Sequence, residues 1–367
     1  MAKAIRYHRN THQQERMAGT LRPARNNQQQ WLIFSSLLSA SCTIAVSSAG
    51  RKQKSAQSTH CDLSRFSPTP PIRIFRPNPD VEIAFDVRTR NPVYVLERLR
   101  GENGDESRSL APKRRPNFYE EKSLPEKFRS RNNYYHLSGY DRGHMAPAAN
   151  YVSNPDHYYH TYNLCNVSPQ DHAMNVKVWA NLEEWTRRVA RVYTGNDSTD
   201  SASDSSECYV ITGPLWLPSR QVSDKRFEYG YAAIGKAPTL VSVPTHFYKV
   251  VAIVNTRSST ISHYACFVIP NSPVAKDWRL EDALVRWGDL ETVTGLEFFS
   301  TLVDSAWIEQ ADNDHKIPPR ISDSNRSLPL ILFASDSQPV TSRGQKRGGV
   351  RHLCPGGTCP SLRRGGS

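Results

Sequence analysis

The stretch YDRGHMAPAANY, Tyr140–Tyr151, sets an acid, an arginine, a glycine and a histidine in a row, then runs into an apolar, proline-bearing segment. Some twenty residues later comes YNLCNVSPQ, Tyr162–Gln170, read as a short strand ended by proline. AMNVKVWANLEEWTRRVARVY, Ala173–Tyr193, follows without Pro or Gly. In it Val178, Trp179, Leu182, Trp185 and Val189 recur at helical spacing, so a helix is predicted. Asn175, Trp179 and Glu183 stand at i, i+4 and i+8. At about 100° per residue they share one face within roughly 80°, with Trp179 as the core anchor. A strand pair followed by a helix would therefore gather His144, Asn166, Asn175 and Glu183.

The flanking sequence supplies the rest of an α+β domain. VEIAFD (Val81–Asp86), the turn VRTRN and VYVLERL (Val93–Leu99) read as a hairpin. GENGDESRSLAPKRRPNF, residues 101–118, reads as an exposed basic loop, and TGNDSTDSASDSSE (Thr194–Glu207) as an acidic, serine-rich one. CYVITGPLWL, VSVPTHFYKVVAIV and ISHYACFVIP are rich in Val, Ile, Tyr and Phe and read as buried strands. LEDALVRWGDLETVTGLEFF, Leu280–Phe299, adds a helix or two. The fold expected is a central antiparallel sheet flanked by helices. Four segments follow: a targeting segment or membrane anchor at 1–60, a proline-rich linker at 61–80, the enzyme-like domain at 81–302, and a polar, basic tail at 303–367 expected to be disordered.

The net charge of +12 suggests a nucleic-acid partner, but its distribution weakens that argument. Residues 1–60 hold nine Lys/Arg against Glu15, and residues 337–367 hold six against no acid. These tails account for +8 and +6, so residues 61–336 carry about −2, and overall charge says little about the folded part. The seven cysteines are odd in number and irregularly spaced, unlike a disulfide framework. The amino terminus is basic, serine-rich and acid-poor around the apolar run WLIFSSLLSASCTIAVSSA, Trp31–Ala49. That composition suits a mitochondrial presequence, with a secretory signal or a membrane anchor as alternatives.

The order D-R-G-H, N-V-S-P-Q and N-x-x-x-W-x-x-L-E resembles the DNA/RNA non-specific endonucleases with a ββα-metal site. Here these are Asp141–His144, Asn166–Gln170 and Asn175 to Glu183. The likeness is closest to the mitochondrial endonuclease G and exo/endonuclease branches. It extends to DVRTRNPVYVLERL, ITGPLWLP, VPTHFYKV, VIPNSPV and TGLEFF, spanning roughly residues 80–302. The resemblance implies Mg²⁺-dependent hydrolysis of DNA and RNA, with Mn²⁺ as a substitute, 5′-phosphate and 3′-hydroxyl products, and a homodimer. It implies His144 as general base, Asn166 as an orienting residue, Asn175 as the single direct metal ligand, and Glu183 as the holder of metal-bound waters. Arg142 and an upstream arginine would bind phosphate. Arg114 is the choice by its distance to the motif, and Arg115 is the rival. Asp141 braces the loop, and Gly143 permits a close backbone approach or an unusual dihedral.

These residue types suit the chemistry. A histidine of ordinary basicity can take a proton from water near neutral pH. Mg²⁺ keeps several waters and needs few protein ligands, so one amide suffices. Arginines clamp phosphate through bidentate contacts. The alternatives are a catalytically silent nucleic-acid-binding homologue and an exonuclease-biased relative; Asp141, where the exo/endonuclease branch tends to Ser, favours endonuclease action.

Other motifs compete poorly. GYAAIGKA, Gly230–Ala237, fits G-x-x-x-x-G-K but has Ala where a P-loop needs Ser or Thr. His157 and His160 have chelating spacing without a carboxylate partner, and read as exposed or lightly packed. Cys354 and Cys359 lack a second ligand pair for zinc. Cys165 beside Asn166 suggests redox sensitivity. The RGG-like end of the tail would at most add non-specific nucleic-acid affinity.

Overall fold

The structure is a computed structural model and describes residues 67–99, 112, 114–194, 206–275, 277–303, 305–314, 351–354 and 359. The targeting segment, with its apolar run at 31–49, lies outside the described residues, as do most of both predicted loops. No helix among the described residues is long and apolar enough to cross a membrane.

In chain order the elements are β1 (Ile72–Asn78), β2 (Val81–Asp86), β3 (Asn91–Leu99), α1 (Asn132–Tyr135), β4 (Asp141–His144), α2 (Pro155–His160) and β5 (Val167–Gln170). A π-helical segment, Met174–Trp179, then runs into α3 (Ala180–Thr194). The second half holds β6 (Ser206–Leu215), β7 (Arg220–Ser223), β8 (Arg226–Glu228), β9 (Ala233–Lys236), β10 (Thr239–Ser242), β11 (His246–Asn255) and β12 (Thr260–Pro270). It ends with α4 (Trp287–Thr294), α5 (Ser305–Asp314) and β13 (Arg351–His352).

Seven strands form the central sheet in the order β1-β2-β3-β6-β11-β12-β13. All pairs are antiparallel except β12–β13. Its middle strands are buried on both faces, which is why they read as unbroken apolar runs rather than alternating ones. Along β11, Phe247, Val251 and Ile253 join the core beneath α3, together with Trp179, Leu182, Trp185 and Val189. Tyr248, Val250 and Ala252 face the opposite layer, where Trp287, Leu290, Phe298 and Ile308 cover them. The expected α+β architecture is thus present, with helices on each side of one antiparallel sheet.

Two boundaries differ from the sequence reading. Order begins before Val81, because β1 lies inside the stretch read as a linker and pairs with β2 from Ile72↔Asp86 to Asn78↔Val81. Its prolines suggested a linker, yet β1 is an edge strand. Pro77 falls at the register shift between Phe75 and Asn78, outside the regular ladder, where a missing N–H is tolerated. At the other end, part of the tail is structured. Ile308 and Ala311 of α5 are buried, and β13 pairs with β12 through His263↔Arg351 and Tyr264↔His352. Leu353 and Cys354 behind it are buried in the core, and Cys354 is disulfide-bonded to Cys359. Polar composition concealed this.

The small sheet that bears the sequence motif is separate. β4 pairs with β5 in the register Asp141↔Gln170 to His144↔Val167, and the helix starting at Met174 packs behind them. Strand, strand and helix therefore occur in the predicted order.

Candidate active site

β4 delivers Asp141, Arg142, Gly143 and His144 along one short strand. Gly143 lies directly under the Gln170 side chain, and a Cβ there would overlap the Gln170 amide. Close approach, not an unusual dihedral, is what demands glycine.

The His144 ring packs in a cluster with two aromatic rings, Phe118 and Tyr162, and the three centroids each lie 5.0 Å from the other two. Its carbonyl accepts the Trp179 indole N–H at 3.4 Å. Its Nε2 is buried and has no hydrogen-bond partner among the described residues. Burial first, and then the nearby Arg115 cation, lower its pKa to about 4. The imidazole is therefore neutral at physiological pH, with a bare ring nitrogen. An orphan polar atom of this kind marks a place for a ligand or water.

Two cations flank it. The Arg142 guanidinium lies 5.2 Å above the Phe118 ring, and its Nε is likewise buried without a partner. Of the two upstream arginines, both exposed, Arg115 is the one whose charge reaches His144 and Tyr162. The sequence choice, Arg114, shows no such coupling, so electrostatics points to the rival.

Asn166 is committed elsewhere. Its Oδ1 accepts from Ala146 N–H, and its Nδ2 donates to the carbonyls of Ala146 and Thr161, all at 2.9 Å. It clamps the backbone two residues beyond His144 and orients the site through the chain, not by reaching into it.

Asn175 is half-buried, and its Nδ2 donates to Asp141 Oδ2 at 2.9 Å, leaving the amide oxygen as its acceptor. The same Asp141 oxygen meets His172 Nδ1 at 2.8 Å. Asp141 thus holds the Asn175 amide and His172, where the sequence suggested that it braces its own loop. His172, exposed and three residues before Asn175, was not anticipated; only its spacing could have signalled it. Among the described residues no group of three or more His, Cys, Asp or Glu is arranged to hold a metal. A single amide oxygen beside a carboxylate is nevertheless the hard, ligand-poor set that suits Mg²⁺.

Glu183 is half-buried on α3. Burial dominates and raises its pKa to about 7, while Lys249, Arg187 and the Trp179 indole favour its charged form. The turn between it and Asn175 is π-helical, so the simple 100° phase does not apply there. Trp179 connects Glu183 to the His144 backbone.

Behind Glu183 lies a buried ionic cluster that the sequence reading missed. Lys249 of β11 is 1% exposed, donates from Nζ to Thr212 Oγ1 at 2.5 Å and lies 5.0 Å from the Trp179 ring centre. Its charge acts on Glu97 and Glu183. Glu97 is fully buried and accepts from Asn150 Nδ2 at 2.8 Å and Tyr151 hydroxyl at 3.0 Å. Burial pushes Glu97 up and Lys249 down, and their mutual attraction opposes both shifts. A lysine inside the apolar run HFYKVVAIV was the available signal, since a buried charge demands partners.

Other candidates recede. His157 and His160 are half-buried on α2, with ring centroids 6.5 Å apart. Cys165 is buried and its thiol is pushed well up, so it holds little thiolate, and the expected redox sensitivity loses its basis.

Residues 67–305 match the family model for DNA/RNA non-specific endonucleases. The chain is 33% identical over 231 residues to the mitochondrial nuclease of Saccharomyces cerevisiae, covering 60% of this chain and 64% of that protein. It is 35% identical over 226 residues to the mitochondrial endonuclease G of Bos taurus, covering 61% of this chain and 68% of that one. A solved structure, that of an EndoG/EndoGI complex described as showing EndoG inhibition, superposes with a TM-score of 0.54 at 31% identity. That match covers 64% of this chain and 88% of that one. With the strand-strand-helix motif and the unpartnered histidine nitrogen already in view, this chain belongs to the DNA/RNA non-specific endonuclease family.

Proposed function

We propose that this protein is a Mg²⁺-dependent endonuclease that hydrolyses phosphodiester bonds of both DNA and RNA, acting in mitochondria as a homodimer. The observation that carries the reading is His144. It is neutral, packed against Phe118 and Tyr162, and presents an unpartnered Nε2 beside Arg142 and Arg115. In this reading His144 accepts the proton of the attacking water, a step that contributes typically about 10²–10⁴-fold. Arg142 and Arg115 hold the phosphate, and the Phe118 and Tyr162 rings fix the imidazole and keep bulk water away from it. Asn166 fixes the loop after His144. Asn175 would hold the cation and Glu183 its bound waters, with Mn²⁺ able to replace Mg²⁺. The bound ion supplies charge stabilisation to the phosphoryl oxygens and the leaving 3′ oxygen. Contacts of this kind read phosphate and carry no base information, so sequence preference is weak. The relatives named mitochondrial nucleases and the basic, acid-poor amino terminus support the location. Residues 31–49 would serve there as part of a presequence or as a membrane anchor.

Product analysis tests the reaction. A nicked plasmid should be resealed by DNA ligase without prior kinase treatment, and a single-stranded RNA should be cut under the same conditions. Ends carrying 3′-phosphate, or cutting that survives removal of divalent ions, would contradict the proposed chemistry.

A further inference from the structure

A cleft of about 650 Å³ opens between α1 and the β9–β10 hairpin. Its lining includes Arg131, His136 and Lys236 and no acidic residue. The walls are tied together where the Tyr134 hydroxyl meets Thr239 Oγ1 at 2.6 Å. Gly235 lets the hairpin close on α1: its φ is +106°, and a Cβ there would stand 3.0 Å from the Tyr134 ring. Arg131 pairs with the exposed Glu126 at 2.6 Å, a contact worth little in solvent, and its Nε is buried without a partner among the described residues. Lys236 is the lysine of the Gly-Lys pair in GYAAIGKA, and it projects from β9 on an exposed stretch.

The cleft is joined to the active site through α1. Tyr134 lines the cleft, while the adjacent Tyr135 is buried on the other side, within electrostatic reach of Arg142. Ser138, also on the cleft wall, precedes Arg142 by four residues, which span at most ~14 Å. One strand of a nucleic acid advances at least ~3.4 Å per phosphate, so that distance covers roughly two to four nucleotides.

We propose that the cleft formed by Arg131, His136 and Lys236 binds a phosphate of the substrate strand two to four nucleotides from the bond being cut. The inference rests on the nuclease reading. It makes the lysine of the Gly-Lys pair a contact to the nucleic-acid backbone and gives the enzyme a preference for strands long enough to reach both places.

The test compares the full chain with the double variant Arg131→Ala/Lys236→Ala. Binding of a labelled 20-nucleotide single-stranded DNA is measured by fluorescence anisotropy across a salt series, in a His144→Ala background so that nothing is cut. Turnover of a trinucleotide, too short to span both places, is measured with His144 intact. The expected result is an affinity for the 20-mer reduced about 10-fold. The slope of log K against log salt should become shallower by about 0.7, the single-strand value for one phosphate no longer neutralised, with trinucleotide turnover unchanged. An unchanged slope with affinity within 2-fold would overturn the proposal. Equal losses on both substrates would overturn it too, since the cleft would then only support the fold. If the wild-type chain binds the 20-mer and cuts neither substrate, the nuclease reading fails, and the salt series still decides whether the cleft binds phosphate.

Discussion

His144 owes its chemistry to what surrounds it. Two rings and a neighbouring cation keep it neutral far below the pH at which a free histidine would protonate. Its folded pKa is lowered to about 4, so the base form persists from neutral pH down through the ordinary value of 6.5. The acid limb of kcat/KM, which reports the free enzyme, should therefore lie below pH 6, and a pH-rate profile on plasmid checks this. A limb centred near 6.5 would mean that the cluster is open in solution. Arg115→Ala should move the limb upward, because it removes a cation that opposes protonation. Arg114→Ala should leave the limb in place. The types of the central residues were legible in the sequence. The aromatic cluster was not, because Phe118 and Tyr162 reach His144 only through the fold. The choice between Arg114 and Arg115 also required coordinates, since neighbouring residues in an irregular segment point in directions that spacing does not set.

At the scale of elements, strand and helix order was readable from periodicity, and the exceptions have physical causes. The π-helical turn at Met174–Trp179 replaces the 100° step of an α-helix, so the phase between Asn175 and Glu183 differs from the one periodicity suggests. β1 was hidden by prolines that an edge strand tolerates. Substitutions at two places probe how elements meet. Gly143→Ala forces a methyl group into Gln170, across the β4–β5 pair, and should cost about 1–3 kcal/mol by urea unfolding. Adding Gln170→Ala should return part of that stability. Lys249→Met leaves Glu97 and Glu183 without their buried cation, between the sheet and α3. Breaking a buried pair in this way costs about 3–5 kcal/mol, and Glu97→Gln in the same chain should recover part of it. Independent, additive effects of the two substitutions would show that the charges do not interact.

For the whole molecule, net charge is a poor guide to how nucleic acid is held. The positive excess sits in the two termini, and the enzyme domain offers local cations at Arg115, Arg142, Arg131 and Lys236 instead. The carboxyl end also has a structural part that composition concealed. β13, Leu353 and the Cys354–Cys359 disulfide cover the outer edge of β12. Ending the chain at Asp314 should lower stability by about 1.5–3 kcal/mol, roughly the burial of one leucine, and calorimetry would register it. The central claim is that His144 is the base of a metal-dependent phosphodiester hydrolase. Nicking of supercoiled plasmid by the full chain, with Mg²⁺ or with EDTA and beside His144→Ala, tests it most directly. The account predicts nicking that EDTA abolishes and that the substitution slows by at least about 10²-fold. Wild-type rates in the His144→Ala protein, or a wild-type protein that binds plasmid and never cuts it, would contradict the claim.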